Sequence, residues 1–280
     1  MSVKYKTGDE QKKMWNGSAG QAWAESQELL NQMFQPFEEM LVQPVPAGSE
    51  GRLLDVGCGT GSITLAAARR LGAQGRCTGI DISEPMIAVA RARVKQEAMP
   101  TSFLCADAES YLFEPEAFDT ILSRFGVMFF DDPVRAFTNL RGAARDGADL
   151  RFVAWRSAAE NPFMTAAERA AAPLLPNLNV RRHDEPGQFA FADRGRVNSI
   201  LEQSGWSEID IRPIDVVCRL PENRLVDYLT RLGPVGRVLQ DVDEPTRTLV
   251  TKVVRAAFEP YVHGSEVRYT AACWMVSARS

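Results

Sequence analysis

Short apolar runs separated by stretches of helical period make up the first half of the chain. Strand-like runs fall at 52–56, 76–81, 102–105, 118–123 and 149–155. Each has the length of a strand and is bounded by turn residues. Helical periodicity fills the gaps. One helix is predicted at about 62–71, a second opens with Ser83 as N-cap and Pro85 in its first turn, and a third opens with Asp132-Pro133 and is closed by Asp146-Gly147. Upstream, Leu29, Leu30, Met33, Phe34, Phe37 and Leu41 recur at helical spacing. Pro36 lies inside that stretch, and because an interior proline costs about 3 kcal/mol, a kink or two short helices are expected. Strand and helix in alternation predict an α/β protein with a parallel sheet covered on both faces.

The pattern changes after Trp155. Residues 157–192 are rich in Ala, Pro and Asn and hold no clear strand. A helix at 194–204 stopped by Gly205, and a strand at about 208–219, return to the earlier pattern. Residues 221–260 are helical in period, and 266–277 reads as a final strand. The predicted organisation is an N-terminal helical arm or lid (1–48), a ligand-binding core (49–156), a cap segment (157–192), a core helix and strand (193–220), a second cap segment (221–262) and a last core strand (263–280). The cap segments are expected over the carboxyl ends of the strands, where open α/β sheets bind ligands.

Composition narrows the partners. The 280 residues and net charge of −4 suit a globular protein of one large or two ordinary domains, and the acidic balance argues against nucleic acid. Five cysteines without a C-x-x-C pair, and two histidines distant from them in sequence, predict free thiols in a reducing cytosol and no metal site. The polar N-terminus has no signal-peptide core, and no apolar run is long enough to span a bilayer, so a cytoplasmic protein without membrane attachment is expected. Oligomeric state is left open.

The chemistry concentrates in Asp55-Val56-Gly57-Cys58-Gly59-Thr60-Gly61. A strand ends there in alternating glycines, which turn the chain into a helix with no side chain in the way of a ligand. The next strand ends in Asp81, a carboxylate suited to ribose hydroxyls. Ser62 replaces the third glycine of a dinucleotide turn, and Asp55 stands close to where a pyrophosphate would lie. Both disfavour a phosphate ligand, and Asp55 suits one carrying an ammonium group. No Gly-Lys-Ser/Thr follows, which excludes a P-loop.

With Gly79-Ile80-Asp81, Ala106-Asp107-Ala108 and the strand at 118–123, this stretch resembles the class I S-adenosylmethionine-dependent methyltransferases over roughly residues 50–156. Residues 123–130 and 189–193 resemble the small-molecule branch related to ubiquinone and menaquinone methyltransferases. The resemblance implies a Rossmann-like, mostly parallel sheet with an antiparallel last strand, and S-adenosyl-L-methionine as cofactor. It implies that Asp55 and the turn residues Gly57, Cys58, Gly59 and Gly61 meet the methionine part, whose carboxylate gains from the helix N-terminus. Asp81 would accept the ribose hydroxyls, Ile82 and Met86 would pack on adenine, and Asp107 and the N–H of Ala108 would read its edge. The Ser123 carbonyl would face the ammonium, with Trp15 and Trp23 closing over the cofactor.

Methyl transfer from a sulfonium is an in-line displacement, so the protein mainly aligns donor and acceptor. A base is needed only if the acceptor loses a proton; the candidates are His183, His263 and Tyr228. No Asn/Asp-Pro-Pro-Tyr-type loop follows the fourth strand, the strand ends lack the carboxylates of metal-dependent enzymes, and the Arg-Asn signature of ubiquinone-type enzymes is absent. Phe163, Met164, Leu174, Leu175, Phe189, Phe191, Tyr228, Leu229 and Leu232 are candidates for an apolar acceptor pocket. The expected function is methyl transfer to a small, mostly apolar or aromatic acceptor. The alternatives are an inactive nucleoside-binding regulator and an NAD-dependent oxidoreductase.

Overall fold

The computed structural model describes residues 8–97, 100–178 and 185–280. The helices α1 (Gly8–Asn16), α2 (Ser18–Glu25) and α3 (Gln27–Val42) precede the first strand, β1 (Arg52–Val56). Then follow α4 (Ser62–Arg70), β2 (Arg76–Asp81), α5 (Glu84–Glu97), β3 (Thr101–Cys105), β4 (Phe118–Arg124), α6 (Pro133–Ala143) and β5 (Ala144–Trp155). The second half comprises α7 (Pro162–Ala171), α8 (Arg194–Gln203), β6 (Ser207–Pro221), α9 (Leu225–Arg231), α10 (Gly233–Val238), α11 (Glu244–Ala257), β7 (Val262–His263) and β8 (Glu266–Arg279).

The strands form one sheet in the order β3-β2-β1-β4-β5-β8-β6, with β7 paired to β8 alone. β1 to β5 run parallel, and β8 inserts antiparallel between β5 and β6. This is the Rossmann-like sheet with an antiparallel last strand. The chain moves outward from β1 to β3, then returns to the other side of β1 as β4. That reversal opens a crevice at the carboxyl ends of β1 and β4.

Helices cover both faces of the sheet. On one side the Trp155 ring of β5 meets Phe34 and Phe37 of α3; on the other, Phe152 meets Phe137 of α6 and Phe191. Phe37, Phe137, Phe152 and Phe191 are all buried, each removal from water worth roughly 1.5–3 kcal/mol. In the second half α7 packs on α11 and α10, α9 packs on α11 and α10, and α10 reaches α2.

Three local expectations are corrected. Pro36 does not divide α3, which runs unbroken from Gln27 to Val42 with its apolar stripe buried from Leu29 to Leu41. Packing of that stripe outweighs the local penalty of one proline. Asp146-Gly147 does not close α6: the helix ends at Ala143 and β5 has begun by Ala144, with Gly147 in the left-handed region at φ +72°. Ser83 does not use its hydroxyl to cap α5; its Oγ donates to the Trp15 carbonyl at 2.6 Å, and Asn16 Oδ1 accepts from Glu84 N at 2.9 Å instead.

Candidate cofactor and acceptor site

The glycine bend is clamped from two sides. Gly57 N and Cys58 N both donate to the Ile80 carbonyl at the end of β2, at 2.9 and 3.1 Å. Opposite, Gly57 lies against Gly126: a Cβ at position 57 would sit 2.6 Å from Gly126 Cα, and Gly57 has φ +64°. Only glycine meets both demands. Ser123 secures this approach, its Oγ donating to Val56 O at 2.7 Å and accepting from Gly126 N at 3.2 Å.

Two buried carboxylates flank the bend. Asp81 Oδ2 accepts from Gly59 N at 2.8 Å and its Oδ1 from Ser83 N at 2.9 Å. Burial raises its pKa and those backbone N–H groups oppose the rise. Asp55 is fully buried. Its Oδ2 accepts from Thr64 Oγ1 at 2.6 Å, while Oδ1 is enclosed with no hydrogen-bond partner among the described residues. Burial pushes the Asp55 pKa to about 7, against the Thr64 hydrogen bond and the positive charge of Arg124. Cys58, between them, is held as a thiol by burial.

Further acids gather beyond β3. Asp107 Oδ1 accepts from Glu109 N at 2.9 Å, and Glu109 Oε2 accepts from Asp131 N and Asp132 N, both at 3.1 Å. Burial, followed by the charges of Glu109 and Asp107, lifts the Asp131 pKa to about 6. The N-terminal helices lie across this edge. Asn16 Nδ2 donates to Ile82 O at 2.9 Å, and the Trp15 ring packs edge-on against Trp23 and Phe129 at centroid distances of 5.8 and 5.3 Å.

These elements enclose a cavity of about 260 Å³, roughly twenty times what one water needs. Trp15, Trp23, Asp55, Gly57, Cys58, Gly59, Asp81, Ile82, Met86, Asp107, Ala108 and Tyr228 all line it. Gly61 and Ser123 do not. Gly61 is the left-handed N-cap of α4 at φ +83° and packs against Phe103, while Ser123 is buried behind the bend as a brace. His263 is exposed on β7 and lies outside the lining, which removes it as a base. His183 falls outside the described residues. Among the apolar candidates Phe163, Met164, Tyr228, Leu229 and Leu232 line the cavity, whereas Leu175, Phe189 and Phe191 pack in the core and Leu174, partly buried, packs against it. Sequence reading missed Arg124, Phe34, Phe129, Glu168 and Gln188, all in the lining. For Arg124 a signal existed: it ends the strand beside the glycine turn, where such sheets place ligand-binding groups.

Residues 53–147 match the family described as "Methyltransferase domain". The aklanonic acid methyltransferase of Streptomyces sp. (strain C5) is 30% identical over 176 residues, which is 62% of this chain and 78% of the relative. The demethylmenaquinone methyltransferase of Staphylococcus haemolyticus is 26% identical over 176 residues, 60% of this chain and 72% of its own. In fold, the chain resembles the Haemonchus contortus phosphoethanolamine N-methyltransferase 2 solved with phosphomonomethylethanolamine and S-adenosylhomocysteine. The TM-score is 0.59 at 17% identity, covering 98% of this chain and 61% of that one. Nothing in these similarities supports an oxidoreductase. Sequence relationship and sheet topology agree, and the chain belongs to the class I S-adenosylmethionine-dependent methyltransferases of small-molecule type.

Proposed function

We propose that this methyltransferase acts on a small, mostly apolar or aromatic acceptor held between the carboxyl edge of the sheet and the helices α7, α9 and α10. The observation that carries the reading is a cavity lined both by Asp55 and Asp81 and by the aromatic side chains Phe34, Phe125, Trp155 and Phe163. The residues fit the cofactor. Asp55 Oδ1 is a buried acceptor awaiting a donor, which suits an ammonium. A Cβ at Gly59 would meet nothing nearer than Met86 Sδ at 3.7 Å, so the bend leaves room for a ligand. Asp81 Oδ2 accepts from Gly59 N and Oδ1 from Ser83 N, and the carboxylate's four lone-pair sites leave room for a ribose diol.

Bound S-adenosyl-L-methionine supplies a methyl group already activated on a sulfonium. Ile82 and Met86 would flank adenine, with Asp107 and the Ala108 N–H at its edge, and Trp15 and Trp23 would close the arm side. The aromatic wall excludes water and orients the acceptor. Tyr228, half-buried on α9 in the cavity lining with Oη 3.8 Å from Met164 Sδ, would position a polar group of the acceptor. Aklanonic acid and demethylmenaquinone, the acceptors in the relatives' names, support a small organic substrate. The net charge of −4 supports a small molecule over nucleic acid, and free thiols at all five cysteines support the cytosol as its compartment.

Titration calorimetry with S-adenosylmethionine and S-adenosylhomocysteine, on wild type and Asp81→Ala, tests the cofactor site. A labelled-methyl assay over phenols, amines and thiols tests turnover. Binding that Asp81→Ala abolishes, with transfer to an aromatic acceptor, is the expected result. Equal binding by both proteins defeats the site assignment, and tight binding with no transfer to any acceptor favours an inactive binding protein.

A further inference from the structure

Arg124 ends β4 and has no place in the motif set that defines the site. It lines the same cavity, and its Nη1 is enclosed with no hydrogen-bond partner among the described residues. The guanidinium lies over the Phe34 ring, Cζ 5.6 Å from its centroid, which holds its plane from one side. Register fixes its neighbour: Asp55 pairs with Leu122, and Arg124, two residues further along β4, projects from the same face. Arg124 feels the negative charge of Glu38 on α3 first and then that of Asp55, and no hydrogen bond joins Arg124 to Asp55.

Arg124 Nη1 and Asp55 Oδ1, enclosed atoms of opposite charge on adjacent strands that line one cavity, therefore each lack a hydrogen-bond partner among the described residues. An unused donor on a buried guanidinium and an unused acceptor on a buried carboxylate are both costly. A ligand that satisfies both at once carries an ammonium and a carboxylate on neighbouring atoms. We propose that Arg124 binds the α-carboxylate of the cofactor's methionine end while Asp55 binds its ammonium, so that the pair reads the whole amino-acid zwitterion. The inference rests on the cofactor reading above and assigns the carboxylate to a side chain rather than to the N-terminus of α4. Arg124 also precedes Phe125-Gly126, and Gly126 is the residue in backbone contact with Gly57. That places the guanidinium at the methionine end of the cavity, not among the cap residues that would face an acceptor. The guanidinium stays charged at neutral pH.

The test is calorimetry on the full chain with S-adenosylmethionine, decarboxylated S-adenosylmethionine and methylthioadenosine, for wild type, Arg124→Met and Arg124→Lys. Wild type is expected to prefer S-adenosylmethionine over its decarboxylated form by about 10- to 100-fold, the range of a charge-assisted hydrogen bond. Arg124→Met should erase that preference while leaving the decarboxylated form and methylthioadenosine within about threefold of wild type. Arg124→Lys should recover part of it, since lysine keeps the charge but not the fork. A wild type indifferent to the carboxylate overturns the proposal, and this comparison needs no variant to fold. So does an Arg124→Met protein that weakens all three ligands equally, which marks a structural role, or one that raises only the acceptor KM, which marks an acidic acceptor group. Failure of wild type to bind any of the three ligands would instead sink the cofactor reading on which the proposal stands.

Discussion

Replacing Asp55 with Asn should stabilise the cofactor-free protein while weakening its grip on the cofactor. Burial lifts the Asp55 pKa from an ordinary 3.8 to about 7. The folded state therefore holds this proton more tightly than the unfolded state. Between about pH 4 and 7 the folded chain binds more protons, and its stability falls as the pH rises through that window. Above pH 7 the penalty is complete. The difference from 3.8 to about 7 corresponds to a ceiling of about 4 kcal/mol. Arg124 loses a neighbouring negative charge in the variant, which offsets part of the gain. Asn keeps an oxygen to accept from Thr64 Oγ1, so the packing around α4 is preserved. A net stabilisation of about 1–4 kcal/mol at pH 8 is expected, or a Tm rise of roughly 2–6 °C. Thermal melts of both proteins at pH 5 and pH 8 measure it, and the gain should be smaller at pH 5. At pH 8 the same substitution should cost about 10- to 100-fold in S-adenosylmethionine affinity, because a neutral amide replaces the carboxylate facing the ammonium. A variant no more stable than wild type at pH 8, or one that binds the cofactor equally well, refutes the reasoning.

Cofactor affinity of the wild type should fall as pH drops below 7, by up to about tenfold per unit, since Asp55 must be ionised to accept the ammonium; the Asp55→Asn protein should lack this dependence in parallel calorimetry. Gly57→Ala should destabilise the fold by about 3 kcal/mol or more in urea titration, because the new Cβ meets Gly126 Cα at 2.6 Å in a left-handed conformation. Tyr228→Phe should leave S-adenosylhomocysteine affinity within about twofold of wild type while lowering kcat/KM for the acceptor, since its hydroxyl lies beside Met164 in the cap.

Much of the cofactor end of the cavity was legible because its signals are local. A strand that ends in Asp55 and runs into alternating glycines can do little other than turn sharply, and Asp81 closes the neighbouring strand two turns of chain later. The acceptor end was legible only in kind. Phe163, Met164 and Tyr228 reached the cavity, but Phe189 and Phe191, equally apolar, were drawn into the core, Phe191 beside Phe137 and Phe152. A hydrophobic residue satisfies either environment, so its type does not choose between them.

The succession of strands and helices along the chain, the glycine bend and the two carboxylates at its rim were thus determined by sequence alone, since short apolar runs, glycine and strand-end acids act over a few residues. Tertiary structure decided what depends on distant segments meeting. It kept α3 whole across Pro36 by burying its stripe, gave Asn16 the capping of α5, set His263 on an exposed hairpin, and aligned β4 with β1 so that Arg124 shares the face of Asp55. No local pattern encodes that last pairing, because it exists only once two strands more than sixty residues apart share a sheet.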